Sequence, residues 1–146
     1  MSEFRLDEPD IYPVWSATTV RYSDLDPNSH VNNGAIGAFF EDGRVRLRTE
    51  HLESEGGPAL SGFAIAKTTI EYRAALSFPA TVDIGSTITR IGRSSYTLGQ
   101  AVFSAGRCIA TAEIVTVRID VATGQSQPLE DHVRAALERV RPLDRR

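Results

Sequence analysis

The chain has 146 residues, of which 41% are hydrophobic and 24% are charged, a balance typical of one globular domain. The formal net charge of -3 argues against a general nucleic-acid-binding protein, because such proteins usually carry a strongly basic face. Cys108 is the only cysteine, which excludes an intrachain disulfide and a CxxC metal site. Lys67 is the only lysine, so nearly all positive charge is on arginine, and we attribute this to coding bias.

The N-terminal sequence MSEFRLDEPD is acidic and lacks the apolar stretch of a secretory signal. No window of the chain reaches the roughly 18 consecutive apolar residues that a membrane span needs. We therefore expect a cytoplasmic protein that does not bind membranes.

The predicted elements, in chain order, are a strand, a long helix, four strands and a short helix. The first strand is rich in Thr, Val and aromatic residues, and the later strands alternate apolar and polar side chains. A Gly-Gly-Pro loop at Gly56–Pro58 follows the long helix. We predict the seven elements at residues 14–23, 33–52, 63–73, 80–91, 95–103, 108–121 and 128–140.

The long helix has an apolar face at helical spacing, formed by Ile36, Phe39, Phe40, Gly43 and Leu47. Three glycines interrupt it at positions 34, 37 and 43, and each costs about 1 kcal/mol relative to alanine inside a helix. Close approach of another backbone is the usual reason for such glycines. The pattern therefore predicts a helix that packs tightly against a sheet.

Short links between the last four strands favour antiparallel hairpins, and no strand–helix alternation indicates a parallel sheet. We predict one α+β domain over residues 1–146, with a core at about 14–122 and a C-terminal helix at about 128–140. In it, a curved antiparallel sheet wraps around the long central helix. Free sheet edges and uncovered apolar surface favour a homodimer or homotetramer.

A dense polar run, SDLDPNSHVNN, lies between the first strand and the long helix. Asn32 or Asn33 is suited to cap the helix, and Asp24 to close a turn or to pair with Arg21. Asp26 precedes Pro27, which by itself indicates only a turn. Such density of polar side chains is typical either of an elaborate helix cap or of a functional site.

The segment VRYSDLDPNSHVNNGAIGAFFEDGRVR resembles the signature of the 4-hydroxybenzoyl-CoA thioesterase-like branch of the hotdog-fold thioesterases. Within it, DLDPNSHVNN is similar to the matching segment of acyl-ACP thioesterases. A second stretch, RIGRSSYTLGQAVF, is similar to the turn and strand that follow in this family. The resemblance in the order of elements covers about residues 14–122, and it implies the hotdog fold.

The resemblance implies that Asp26 is the catalytic carboxylate and that Asn28 and His30 are further polar residues of the site. A carboxylate can attack a thioester or deprotonate water, and helix N-terminal N–H groups near Asn32 and Asn33 can bind the oxyanion. His30 fits a catalytic role and a buried structural role equally well. Glu41, two turns into the helix, is the alternate base, although we favour an ion pair with Arg44 or another arginine as its role.

In plant acyl-ACP thioesterases a Cys and an acidic residue follow in a later strand, whereas IEYRAALSF contains no Cys. This difference favours acyl-CoA over acyl carrier protein as the substrate. The resemblance thus implies hydrolysis of an acyl-CoA to the free acid and CoA, within fatty acid metabolism. Hydrolysis of an acyl-ACP, or a non-catalytic hotdog module that binds acyl-CoA, are the alternatives.

Coenzyme A carries phosphates, and four residues around one predicted turn are suited to contact them: Arg90, Arg93, Ser94 and Ser95. No separate cofactor is implied, since CoA is part of the substrate. The three histidines lack metal-ligand spacing, so we predict no metal. Four aromatic residues are suited either to line the acyl pocket or to fill the core: Phe39, Phe40, Phe63 and Tyr72.

Overall fold

A computed structural model describes residues 4–52 and 62–143. Its strands are β1 Val14–Thr19, β2 Phe63–Tyr72, β3 Thr81–Ile91, β4 Ser95–Ser104 and β5 Arg107–Arg118, and its helices are α1 Asn33–Leu47 and α2 Asp131–Glu138. A π-helical turn, Arg48–Leu52, extends α1, and 3-10 turns lie at Pro9–Ile11 and Tyr22–Asp24. The predicted loop Gly56–Pro58 lies outside the described residues.

The five strands form one antiparallel sheet in the order β1-β3-β4-β5-β2. Helix α1 packs on one face, called the inner face here, and this arrangement confirms the predicted α+β hotdog architecture. The core between helix and sheet includes Phe40, Leu47, Ile84, Ile88 and Ile114, all of them at most 1% exposed. Burial of these large apolar side chains is the main stabilising term.

Gly43 is the point where α1 meets the sheet most closely. A Cβ atom there would lie 2.6 Å from Ile84 Cγ2, 2.8 Å from Gln100 Nε2 and 3.2 Å from Ser86 Oγ. The prediction of tight packing is thus confirmed for Gly43 but is wrong for the other two glycines. A Cβ at Gly34 would meet only the cap side chain of Asn32, and one at Gly37 would meet nothing within 4 Å.

Three predicted boundaries move inward, each because side-chain or loop hydrogen bonds end the regular pattern. Beyond β1, which stops at Thr19, a 3-10 turn begins at Tyr22. After β5, the Asp120 carboxylate accepts from the N–H groups of Ala122 and Thr123 and closes a turn. Before α2, the N–H of Leu129 donates to the Arg93 carbonyl and holds that residue outside the helix.

Two β-bulges interrupt the sheet. The register of β2 against β5 shifts between Ile65 and Lys67, and that of β3 against β4 shifts between Ile88 and Arg90. A bulge inserts one extra residue, so the side chains that follow it change face. Lys67 and Arg90 therefore lie on the outer face, opposite α1.

The N-terminal segment and the residues after α2 meet on the outer face. Tyr12 is 2% exposed and packs against Gly85, where a Cβ would lie 2.6 Å from the Tyr12 ring. The Leu143 N–H donates to the Ile11 carbonyl at 2.8 Å. In the described part of the chain, no helix has the length and apolar character of a bilayer-spanning segment.

Candidate active site

Asp24 anchors the polar loop that precedes α1. Its side chain is 4% exposed and accepts from the Arg21 N–H at 2.8 Å and from the Arg21 guanidinium at 3.0 Å. Burial alone raises the pKa of this carboxyl, but the two Arg21 donors outweigh burial and hold the pKa below its usual value. The predicted pairing with Arg21 is confirmed, and Asp24 is a structural residue.

Asp26 is held by the loop around it. Its Oδ1 accepts from the N–H of Asn28 at 2.8 Å and from the N–H of His30 at 3.1 Å. Its own N–H donates to the His30 carbonyl at 2.8 Å, and the N–H of Ser29 donates to the Asp26 carbonyl at 3.0 Å. Ser29 adopts a left-handed backbone with φ of 63°, which closes this turn.

These bonds leave the second carboxylate oxygen of Asp26 without a hydrogen-bond partner among the described residues. One oxygen is fixed by two backbone donors while the other is available to a ligand or to water. The two backbone N–H donors orient the carboxylate and bring no cationic group to it.

Asn32 caps α1 and connects it to the loop, which confirms the predicted cap. Its Oδ1 accepts from the Ala35 N–H at 2.7 Å, and its N–H and Nδ2 both donate to the Asp24 carbonyl at 2.9 Å. No described residue accepts from the N–H of Asn33 or Gly34. Two free donors at the positive end of the helix dipole suit a developing negative charge.

Asp26 and the start of α1 face the same cleft, which has a volume of about 390 Å³. Asp26, His30, Val31, Asn33 and Ile36 form one wall. The other wall is the end of β2 and the segment after it, comprising Tyr72, Arg73, Ala74, Ala75 and Leu76. The Val31 N–H donates to the Leu76 carbonyl at 2.8 Å and joins the two walls.

Asn28 and His30 contact Asp26 through their backbones, whereas the sequence suggested side-chain roles. Both side chains are exposed, and His30 also lines the cleft. The predicted alternative of a buried structural histidine is therefore wrong for His30. Of the four aromatic candidates, Phe39 and Phe40 are core residues, Phe63 packs on Tyr96, and Tyr72 lines the cleft.

Glu41 lies apart from this group. Its side chain is 67% exposed, pairs with Arg44 at 3.4 Å, and is not part of the cleft wall. The surroundings of Glu41 are therefore those of a surface ion pair.

Arg73 is a cleft residue that the sequence analysis does not predict. It lies directly after β2, lines the cleft and forms an ion pair with Asp7 at 3.3 Å. Asp7 also binds Arg5 at 3.0 Å, so an acidic N-terminal residue holds the arginine at the cleft. A contact across 66 residues leaves no local signal in the sequence.

Of the four predicted phosphate contacts, Arg90 lines a cleft on the outer face of the sheet and the other three lie at the β3–β4 turn. Arg93 and Ser94 form the β3–β4 turn, whose carbonyls accept from Leu129 and Arg118, and Ser95 begins β4. Arg90 lies on the outer face because of the β3 bulge. Arg93, Ser94 and Ser95 are not among the residues that line the same cleft as Arg90.

Within the described ranges, no three His, Cys, Asp or Glu side chains are grouped so that they could hold a metal ion. Burial raises the pKa of the Cys108 thiol, which favours the unreactive protonated form, as expected for a packing residue.

A family model described as the thioesterase-like superfamily matches residues 20–137, which is most of the chain and includes the whole cleft-forming loop. The chain belongs to this superfamily. No curated protein sequence matches it significantly.

Solved structures with the same hotdog fold include thioesterases from several bacteria. One is a thioesterase from Thermus thermophilus complexed with coenzyme A and Zn, 28% identical, with a TM-score of 0.77 over 90% of this chain and 98% of that chain. YbaW from Escherichia coli, described as a probable thioesterase, is 25% identical, with a TM-score of 0.69 over 87% and 98%. A Bacillus stearothermophilus protein described as a predicted thioesterase is 23% identical, with a TM-score of 0.80 over 88% and 96%, and this likeness shows the fold.

Proposed function

We propose that the protein hydrolyses an acyl-CoA thioester to the free acid and CoA. The observation that carries this proposal is the cleft shared by Asp26 and the N-terminus of α1. One Asp26 oxygen and the N–H groups of Asn33 and Gly34 have no hydrogen-bond partner there among the described residues. The superfamily match and the CoA complex of the Thermus thermophilus relative support the choice of substrate.

In this proposal the thioester carbonyl lies at the N-terminus of α1. The N–H groups of Asn33 and Gly34 donate to its oxygen, more strongly as negative charge develops there. The acyl group extends along the apolar part of the cleft, lined by Ile36, Tyr72 and Leu76. The β3–β4 turn, in which Arg93 is exposed and Ser94 and Ser95 are half-buried, is proposed to contact the CoA phosphates.

Two routes fit the free oxygen of Asp26. As a general base, it accepts a proton from water while the water oxygen bonds to the carbonyl carbon. The C–S bond then breaks, and the proton passes to the leaving thiolate.

As a nucleophile, the Asp26 carboxylate displaces the thiolate to form a mixed anhydride, which water then hydrolyses to regenerate the carboxylate. A single turnover in ¹⁸O-labelled water separates them, because attack of water on the Asp26 carbonyl of the anhydride places unlabelled enzyme oxygen in the acid product.

The first experiment measures free-thiol release from short, medium, long and aromatic acyl-CoA esters. It compares the wild type with Asp26→Asn, which keeps an oxygen for the Asn28 and His30 donors but removes the charge. We expect the wild type to turn over at least one ester, and the variant to lose at least roughly a hundredfold in kcat, as for a principal proton-transfer group.

Glu41→Gln is the matched control, because it also neutralises a carboxylate of the same region but outside the cleft. We expect its kcat to stay within about twofold of wild type. Full activity in Asp26→Asn would move the chemistry to another residue. Absence of turnover on every CoA ester, with turnover of an acyl carrier protein ester, would replace the proposed substrate. Ligand-induced thermal stabilisation without any thiol release would indicate a binding module instead.

The cytoplasmic location and the absence of a cofactor stay proposals that follow from this function. Acyl-CoA esters are water-soluble and are present in the cytoplasm, which fits the proposed location. Hydrolysis of the thioester needs only water besides the substrate, so the reaction needs no cofactor.

A further inference from the structure

A second cleft, called the outer groove here, lies on the outer face of the sheet and has a volume of about 540 Å³. It crosses β2, β5, β4 and β3 and is bordered by the chain ends near Phe4 and Arg141. This size is in the usual range of small-molecule sites. The groove shares no residue with the Asp26 cleft.

Three cations from three parts of the chain line the outer groove: Lys67 of β2, Arg90 of β3 and Arg141 after α2. Glu113 is the one carboxylate among its lining residues, so positive charge prevails. The lining also contains three threonine hydroxyls, at positions 69, 89 and 97. Thr89 donates to the Thr97 carbonyl, whereas the other two hydroxyls have no partner among the described residues.

Among the residues that the structure describes, these cations have no side-chain partners that explain their positions. None of the three side chains forms a hydrogen bond or an ion pair with any residue in the described ranges. By contrast, several other arginines of the structure are paired, including Arg21, Arg44, Arg46 and Arg118. Three cations against one carboxylate, Glu113, leave an excess of positive charge in a concave surface, and an anion in the groove offsets their mutual repulsion.

The two bulges are the reason that Lys67 and Arg90 lie in this groove. Lys67 pairs with Val115 instead of following Ile65 onto the inner face, and Arg90 pairs with Thr97 instead of following Ile88. Bulges are frequent where a sheet must redirect a functional side chain. Here two independent bulges direct the chain's only lysine and an arginine to the same groove.

We propose that the outer groove binds a phosphate-bearing small molecule. The forked donors of Arg90 and Arg141 suit phosphate oxygens, Lys67 adds a point charge, and Thr69 and Thr97 add neutral donors. The apolar side chains of Phe4 and Val115 at the same groove suit the organic part of such a ligand. This proposal does not depend on thioester hydrolysis.

Isothermal titration calorimetry at low salt tests it with two probes, inorganic pyrophosphate and adenosine 3′,5′-bisphosphate. We expect the wild type to bind at least one probe and expect the affinity to fall as salt rises. Arg90→Gln and Lys67→Gln should each weaken binding about tenfold, because each removes charge-assisted hydrogen bonds.

Arg107→Gln is the matched control, since Arg107 is exposed at the β4–β5 turn, outside the groove. It should bind within about twofold of wild type. Absence of binding by the wild type, affinity unchanged in Arg90→Gln and Lys67→Gln, or an equal loss in Arg107→Gln would each overturn the proposal. Circular dichroism of every variant keeps a folding defect from being read as lost binding.

The phosphate in the groove could belong to the CoA part of the substrate or to a separate compound. Steady-state kinetics with an acyl-CoA that the protein hydrolyses distinguish these two sources. If the groove holds the nucleotide end of the substrate, adenosine 3′,5′-bisphosphate competes with the ester and Arg90→Gln raises KM. If it holds a separate phosphate compound, pyrophosphate binds without changing KM. Both outcomes support the phosphate site, and should no ester be hydrolysed, the calorimetry still decides the proposal.

Discussion

Asp24 and Asp26 are separated by one residue, yet their carboxylates have opposite surroundings. Asp24 is buried and uses both oxygens to bind Arg21. Asp26 is half-buried, uses one oxygen for backbone donors, and has no partner for the other oxygen among the described residues. The same amide substitution therefore has different consequences at the two positions.

Asp24→Asn should lower the free energy of unfolding by about 1–3 kcal/mol, because an amide NH₂ group faces Arg21 and leaves a donor unsatisfied. Asp26→Asn should change it by less than about 0.5 kcal/mol, because the amide oxygen still accepts from Asn28 and His30. Urea denaturation of both variants and the wild type at pH 7 measures these differences. Equal destabilisation of the two variants would contradict the separation of roles.

The loss in Asp24→Asn should depend on pH. The folded-state pKa of Asp24 lies below the unfolded value of about 3.9, so its charge stabilises the fold above that value. This stabilisation is lost as the pH falls through the folded-state pKa. Denaturation at pH 7 and at pH 3 should therefore show a larger gap between wild type and Asp24→Asn at pH 7, and a constant gap would contradict the ionic role of Asp24.

At the level of elements, the packing of α1 on the sheet requires a glycine at position 43 but not at position 37. Gly43→Ala places a Cβ 2.6 Å from Ile84, and overpacking of this kind costs about 1–3 kcal/mol. Gly37→Ala has open space, and the better helix propensity of alanine should stabilise by up to about 1 kcal/mol. Thermal unfolding of the two variants should shift Tm in opposite directions. A lower Tm for both would show that Gly37 also has a close neighbour.

Periodicity predicted the elements well, since apolar side chains at helical or alternating spacing decide which face each element buries. It predicted neither bulge, because one inserted residue such as Ala66 has no distinct composition. For this reason the sequence pattern places Arg90 with the β3–β4 turn, whereas the bulge puts it in the groove on the outer face. The polar density of the loop that carries Asp26 makes that part of the site predictable from sequence. The position of Arg73 at the cleft is not predictable, because it depends on contacts between segments that are distant in the chain.

On the scale of the whole molecule, β2 is an edge strand that pairs only with β5 among the described strands, and it is exposed along nearly all its length. Ile65 and Tyr72 are 43% and 48% exposed, which is unusual for an edge that faces only water. The Asp26 cleft opens at the end of this strand. We therefore predict that a second copy pairs along β2 and adds to the cleft wall.

Sedimentation velocity at micromolar concentration should give a mass of two or four times 16.0 kDa. Ile65→Glu should shift it toward the monomer, because it places charge on the proposed interface. Val121→Glu, at a residue 74% exposed in a turn, is the matched control and should leave the mass unchanged. A monomer mass for the wild type would rule out the predicted dimer.

The hydrogen bond between the Leu143 N–H and the Ile11 carbonyl brings the first and last described segments of the chain together. Phe4 and Arg141 also border one groove, so the described part of the chain begins and ends on the same face, beside the same cations. The turn at Gly124, whose neighbours are exposed and whose φ is 74°, is therefore the better place to open the chain or to attach a label. A circular permutant opened there keeps β1 to β5 and the Asp26 loop uninterrupted.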